Sequence, residues 1–248
     1  MKKVLLFLDT TWRILLGILT FIVILALIFI LELFFLPWVK IRVFIANTLG
    51  KVLAETVLWC LRVHIHRENY HPERTEPVIF VTNHTSALDA FLCLVLWTKN
   101  TRTLAKKELI FVPFLGIAYA VSGHAMINRQ RHKSAVHTMD KIALDSKKYG
   151  LGFWIWPEGT RSKDGHLQPF KKGFAHFALQ TGFPIQPVIV HHANLKWPKN
   201  KMFSMKHFDL RVQYLDPIPT TDWKLETLNE HIESVRQTFV DNLDPDQK

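Results

Sequence analysis

The residues best suited to chemistry are a histidine and an aspartate in the segment Asn83-His84-Thr85-Ser86-Ala87-Leu88-Asp89. An imidazole takes up a proton near neutral pH, and a carboxylate on its far nitrogen fixes tautomer and orientation. A base held in this way accelerates proton transfer about 10²–10⁴-fold. The segment follows a β-branched run and precedes an apolar one, so it lies where a strand ends and a helix begins, the end that carries ligands in open α/β sheets. A local reading stands beside this one. Ser86 and Asp89 have capping-box spacing, in which case Asp89 serves the first helical turn and His84 is a loop histidine.

A second constellation, Trp156-Pro157-Glu158-Gly159-Thr160-Arg161-Ser162, comes directly off an apolar run. Gly159 lets a ligand approach the backbone closely, Thr160 and Ser162 offer hydroxyls, and the planar fork of Arg161 suits phosphate oxygens. This pattern reads as an anion cradle. Equally, Pro-Glu-Gly is an ordinary turn that leaves an exposed arginine.

These motifs need a scaffold. Pro77–Thr82 is a β-branched strand that leads into a buried helix over Ala87–Trp97. Phe153–Trp156 and Gln186–Val190 read as further buried strands, and helical segments are expected around Lys133–Lys148 and Gly173–Gln180. Leu225, Leu228, Ile232, Val235, Phe239 and Leu243 recur at helical spacing and predict a closing amphipathic helix. His64 and His66 fall on the polar face of a short strand. The alternation predicts an α/β domain with a mixed central sheet flanked by helices.

From Ile14 to Leu36 the chain is apolar with one charge, Glu32, long enough as a helix to cross a hydrocarbon core of about 30 Å. The run exceeds a signal-peptide core and no small-x-small cleavage site follows it. Lys2, Lys3 and Arg13 precede it and Lys40, Arg42 and Lys51 follow it, so flanking charge sets no orientation. Either a single span or a helical hairpin fits, the hairpin bending at Pro37 with Val39–Leu61 as its second helix. Two regions are expected, a membrane-associated helical region over 1–62 and a catalytic domain over 63–248.

The ordered set of motifs resembles the family of 1-acyl-glycerol-3-phosphate acyltransferases and related glycerolipid acyltransferases. Asn83-His84 with Asp89 is followed about seventy residues later by Pro157-Glu158-Gly159-Thr160-Arg161. Between them, Lys106-Lys107-Glu108-Leu109 with Pro113 and Gly116, and the block Gly123–Arg129, match the family's pattern. Phe170-Lys171-Lys172-Gly173 and Phe183–Val188 match its later blocks. Met126 and Asn128 stand where the family usually has Phe and Asp, and Trp156 where it usually has Phe, departures that bear on substrate contacts more than on chemistry.

The resemblance implies that His84 is the general base on an acceptor hydroxyl, which attacks a thioester carbonyl directly, and that Asp89 orients His84. It also implies that Arg129 and Arg161, with the backbone around Gly159 and Thr160, hold the acceptor phosphate. Glu158 is assigned to substrate binding, either on the acceptor glycerol or by locking Arg161. Lys106 is a candidate donor to the developing oxyanion. The expected acceptor is a lysophospholipid, 1-acyl-glycerol-3-phosphate first and another headgroup as the alternative. The expected donor is acyl-CoA or acyl-carrier protein. No cofactor or metal is implied, because the thioester already carries the activation, and the cytoplasmic location of such donors places the catalytic domain on that side of the membrane.

Composition narrows the rivals. A formal charge of +10 points to an anionic partner. Nucleic acid is disfavoured because the basic residues form no known module and the chain carries a bilayer segment. The two cysteines, Cys60 and Cys93, form no Cys-x-x-Cys and read as reduced core thiols. Thirteen histidines include no His-Glu-x-x-His, and no Gly-x-Ser-x-Gly elbow indicates a serine hydrolase. A non-enzymatic, membrane-tethered protein for anionic lipids remains the rival that ignores the motifs. Lysines interleaved with Trp197, Met202 and Phe203 predict a membrane-touching patch over 196–206.

Overall fold

The computed structural model describes residues 2–71, 76–97, 100–112, 115–128 and 132–248. Among the described residues, seven strands form one sheet in the order β1-β7-β6-β2-β5-β3-β4. The strands are β1 (Val63–Glu68), β2 (Ile79–Thr82), β3 (Thr101–Lys106), β4 (Ala125–Ile127), β5 (Gly152–Ile155), β6 (Ile185–Val190) and β7 (Phe208–Tyr214). β7 runs antiparallel to β6, whereas the other neighbouring pairs are parallel. The protein is therefore a mixed α/β fold, as the alternation of elements predicts.

Strand alternation sorts the core into two layers. Ile79, Val81, Phe153 and Ile155 point to one face, where they meet Phe174 and Phe177 of α6 (Gly173–Thr181), Ile142 of α5 (His132–Tyr149), and Val235 and Phe239 of α8 (Leu228–Asn242). Phe80 and Trp154 point to the other face. There they pack with Leu92 and Leu96 of α3 (Asp89–Leu96) and with Ala54 and Leu58 of the N-terminal helix α2 (Val39–Cys60).

Helix α1 (Lys2–Phe34) turns at 35–38, around Pro37, into α2. Arg13 near the start of α1 lies over the ring of Trp59 near the end of α2, 4.1 Å from its centroid, so the two helices run antiparallel as a hairpin. Ile24, Leu25 and Ile28 of α1 pack on Leu53 of α2 and on Ala118 of α4 (Leu115–Val121), and Glu32, the single charge of the apolar run, is turned inward. Phe7, Leu8, Trp12, Leu15, Ile18, Leu19 and Ile22 leave a long apolar face of α1 exposed. Both helices are long and apolar enough to cross a membrane.

Several local expectations shift. The buried helix begins at Asp89 rather than Ala87, because the Ser86 hydroxyl accepts from Leu88 N and the Trp197 carbonyl takes the Ala87 amide, holding that stretch in a turn. Strands β3, β4 and β7 were not expected. The first half of β3 is polar yet buried, since Asn47 donates to Thr101 O and Arg102 Nε donates to Gly123 O. In the expected membrane patch Lys196 is buried and Trp197 and Phe203 are half-buried, packing together against the core, while Lys201, Met202 and Lys206 are exposed.

Candidate active site

β2 and β5 are parallel neighbours, so the loops that leave their carboxyl ends emerge side by side. This brings together motifs far apart in the chain. His84 N donates to Glu158 Oε1 at 2.5 Å, and Ser162 N donates to His84 O at 2.7 Å. On the other flank, Asn83 exchanges two hydrogen bonds with Val190 at the end of β6, and Ser86 Oγ donates to Trp197 O. The loop that carries His84 is thus tied to three separate segments.

The imidazole is equally constrained. His84 Nδ1 lies 2.7 Å from Asp89 Oδ2, and the ring stacks on Trp156 with centroids 4.8 Å apart and planes at 24°. Asp89 is buried, and its Oδ2 also accepts from the amides of Thr85 and Ser86 at 3.0 Å. The capping and catalytic readings of Asp89 therefore describe one carboxylate that closes the first turn and, with the same oxygen, orients the histidine. With Nδ1 committed to Asp89, Nε2 is the nitrogen left to exchange a proton.

Glu158 is buried and uses both oxygens on backbone, Oε1 on His84 N and Oε2 on Gln168 N. Burial pushes its pKa up to about 8, against the pull of those two amides and of Arg236 and with a smaller push from the Asp89 charge. Its observed partners are the loops themselves rather than Arg161. Gly159 closes the adjacent turn at φ +70, with its amide on Trp156 O, and a Cβ there would come within 2.9 Å of Lys171 Nζ. Thr160 is exposed, with Lys199 Nζ 3.4 Å from its hydroxyl and bonded at 2.6 Å to the Arg161 carbonyl. Arg129 lies outside the described residues.

A cavity of about 520 Å³ opens beside this pair. His84, Lys106 and Arg161 lie on its wall together with Leu25 and Ile28 of α1, Gly50 and Leu53 of α2, and Ala90 and Leu94 of α3. His84, Lys106 and Arg161 thus share the wall of a largely apolar chamber built partly from the N-terminal hairpin. A second cavity, of about 690 Å³, shares Leu104 and Trp156 with the first and is lined on its other side by Gly159, Lys171, Lys172 and His176. Leu104 and Trp156 form the common wall. Among the described residues no cluster of three or more metal-type ligands occurs.

Sequence reasoning did not find Asn83 as a tie to β6, Trp197 as a support of the catalytic loop, or Lys171 and Lys199 as neighbours of the Gly159 turn. Each contact closes across a long stretch of chain, and only the Phe-Lys-Lys-Gly match offered a hint for Lys171.

The surroundings of His84 match known proteins. A family model described as acyltransferase matches residues 62–191. A 1-acyl-sn-glycerol-3-phosphate acyltransferase of Cocos nucifera is 38% identical over 213 residues, covering 86% of this chain and 68% of that protein. One from Limnanthes douglasii is 34% identical over the same share of this chain and 75% of its own length, and one from Saccharomyces cerevisiae is 37% identical over 68% of this chain and 56% of its own. The crystal structure of the 1-acyl-sn-glycerophosphate acyltransferase from Thermotoga maritima superposes with a TM-score of 0.66 at 22% identity, covering 92% of this chain and 97% of that one, which shows a shared fold. With more than half of its residues inside the family match, the chain belongs to the acyltransferase family.

Proposed function

We propose that the protein transfers a fatty acyl group from an acyl thioester, acyl-CoA or acyl-carrier protein, to the free sn-2 hydroxyl of 1-acyl-glycerol-3-phosphate, yielding phosphatidic acid. The observation that carries this reading is His84, held through Nδ1 by Asp89 at 2.7 Å on the wall of a largely apolar cavity that also presents Lys106 and Arg161. The relatives named above supply the acceptor.

In this mechanism His84 Nε2 takes the proton of the acceptor hydroxyl as its oxygen attacks the thioester carbonyl. The new C–O bond gives a tetrahedral oxyanion; its collapse breaks the C–S bond, and the proton passes from His84 to the departing thiolate. Asp89 stays ionised and stabilises the imidazolium. Lys106 supports the oxyanion, a contribution of about 3 kcal/mol for one such donor. Arg161, the Gly159–Thr160 backbone and Arg129 hold the acceptor phosphate. Glu158 acts by holding the His84 amide. No cofactor or metal takes part.

The hairpin over 1–62 is the membrane-associated region and 63–248 the catalytic domain, α2 serving both by packing on the sheet. The exposed apolar residues of α1 form a continuous outer face that suits contact with lipid. The catalytic domain faces the cytoplasm, where thioester donors are found.

A product-resolved assay in detergent micelles tests this reading, with palmitoyl and oleoyl thioesters offered to lysophosphatidate and to lysophosphatidylcholine. Phosphatidate formed by wild type and lost in His84→Ala supports it. Transfer to the choline lipid alone moves the acceptor assignment to another lysophospholipid.

A further inference from the structure

Two lysines from later segments reach the Gly159-Thr160-Arg161 turn. Lys171 N donates to Pro157 O at 2.8 Å, which fixes the Lys171 backbone beside the turn. Its exposed side chain then runs over Gly159, where an added Cβ would meet Nζ at 2.9 Å, Cδ at 3.1 Å and Cε at 3.2 Å. The glycine therefore leaves the space that this ammonium occupies. Lys199 arrives from the segment that follows β6. Its Nζ donates to Arg161 O at 2.6 Å and lies 3.4 Å from Thr160 Oγ1. An ammonium has three donors, so Lys199 keeps at least one N–H for a ligand.

The charge of the two ammoniums is not offset within the turn. Among the described residues neither lysine is paired with a carboxylate. Glu158 commits both oxygens to backbone amides, and burial lifts its pKa to about 8, so it is largely protonated at neutral pH. Asp140, which shares the wall of the second cavity with Lys171, accepts from Gln180 Nε2. Thr160 is exposed, and Arg161 lies on the cavity wall that also carries His84, so the turn is open to a ligand at the reacting end of the site.

A phosphomonoester carries about −1.5 to −2 charges at neutral pH, whereas a phosphodiester carries one. Two ammoniums and a guanidinium on one short turn favour the more highly charged group. We propose that Lys171 and Lys199 are specificity-determining residues of the acceptor site, which with Arg161 select a lysophospholipid whose headgroup is a free phosphomonoester over one whose phosphate is esterified. The inference rests on the reading that this turn holds the acceptor phosphate.

The test compares lysophosphatidate with lysophosphatidylmethanol, in which a methyl group caps one phosphate oxygen and leaves a single charge. Both are offered with palmitoyl-CoA to the full-length protein in uncharged detergent micelles. Wild type is expected to prefer lysophosphatidate. Lys171→Gln and Lys199→Gln should each raise KM for lysophosphatidate about three- to tenfold, the loss of one charge-assisted contact, and KM for the methyl ester far less. Lys171→Arg and Lys199→Arg keep the charge and should keep the preference, a split by headgroup charge that a purely structural role does not produce. Binding of the two radiolabelled lipids to immobilised protein without thioester reads the same preference without turnover, so absence of transfer refutes the proposed reaction and not the role of the lysines. The 3′-phosphate of coenzyme A is a phosphomonoester too. A KM rise for palmitoyl-CoA that is missing for palmitoyl-3′-dephospho-CoA would assign the lysines to the donor and overturn the inference. So would equal binding of both acceptors by wild type, or a preference that survives both Gln substitutions.

Discussion

Asn83 and Val190 are joined by two hydrogen bonds, Asn83 Nδ2 to Val190 O and Val190 N to Asn83 Oδ1, each 2.9 Å. The residue immediately before His84 is thereby fastened to the end of β6, and the position of the histidine backbone is set by the sheet rather than by its own loop. Asn83→Ala removes both bonds and leaves a buried amide and carbonyl unpaired. A loss of about 1–3 kcal/mol in stability is expected. Turnover should fall with little change in KM for either substrate, as denaturant unfolding and steady-state kinetics on the same preparation would show.

Asp89→Asn tests the orientation of the imidazole. The amide nearly matches the carboxylate in shape but can present a donor to Nδ1, favouring the wrong tautomer and removing the charge that stabilises the imidazolium. The expected loss in kcat is about 10²–10⁴-fold with the fold retained. Circular dichroism and single-turnover transfer would separate this from unfolding, and near-normal turnover would leave Asp89 with its capping role alone.

Glu158 accepts from His84 N and Gln168 N, one amide on each oxygen. Gln has a single oxygen, so Glu158→Gln leaves one of these amides without an acceptor. Stability should fall by about 1–3 kcal/mol. Because the His84 backbone moves with it, kcat is expected to fall about 10- to 100-fold while KM for the acceptor stays near normal. A rise in acceptor KM at unchanged kcat would instead place Glu158 on the substrate.

His124 carries a pH signature. Its pKa in the fold is pushed down to about 3 from the ordinary 6.5, so below pH 6.5 the unfolded chain binds a proton there that the folded protein refuses. Stability from this residue is therefore complete above pH 6.5 and is lost as pH falls toward 3, by up to about 1.4 kcal/mol per pH unit. Glu158 shifts in the opposite direction, so the useful quantity is the difference between wild type and His124→Gln. The variant should show the shallower loss in urea unfolding between pH 6.5 and 4.

Local pattern was enough for the apolar run that became α1, for strands β2, β5 and β6, and for the order of the two motifs. Hydrophobic periodicity and turn chemistry are properties of neighbouring residues, and those strands are buried on both faces. β3 has no local signature because Thr101, Arg102 and Thr103 are polar, and their burial depends on partners in α2 and in the turn before β4. The adjacency of His84 and Glu158 follows from β2 and β5 pairing in parallel, and the aim of the Glu158 carboxylate only from the two loops that meet over it. Trp197, which composition assigns to the membrane surface, is half-buried against the core and gives its backbone carbonyl to Ser86 and Ala87. The cavity belongs wholly to tertiary structure. Its wall is assembled from α1, α2, α3, β3, α4 and the loops after β2 and β5, and no local rule of sequence relates residues whose only connection is that folding packs them around the same space.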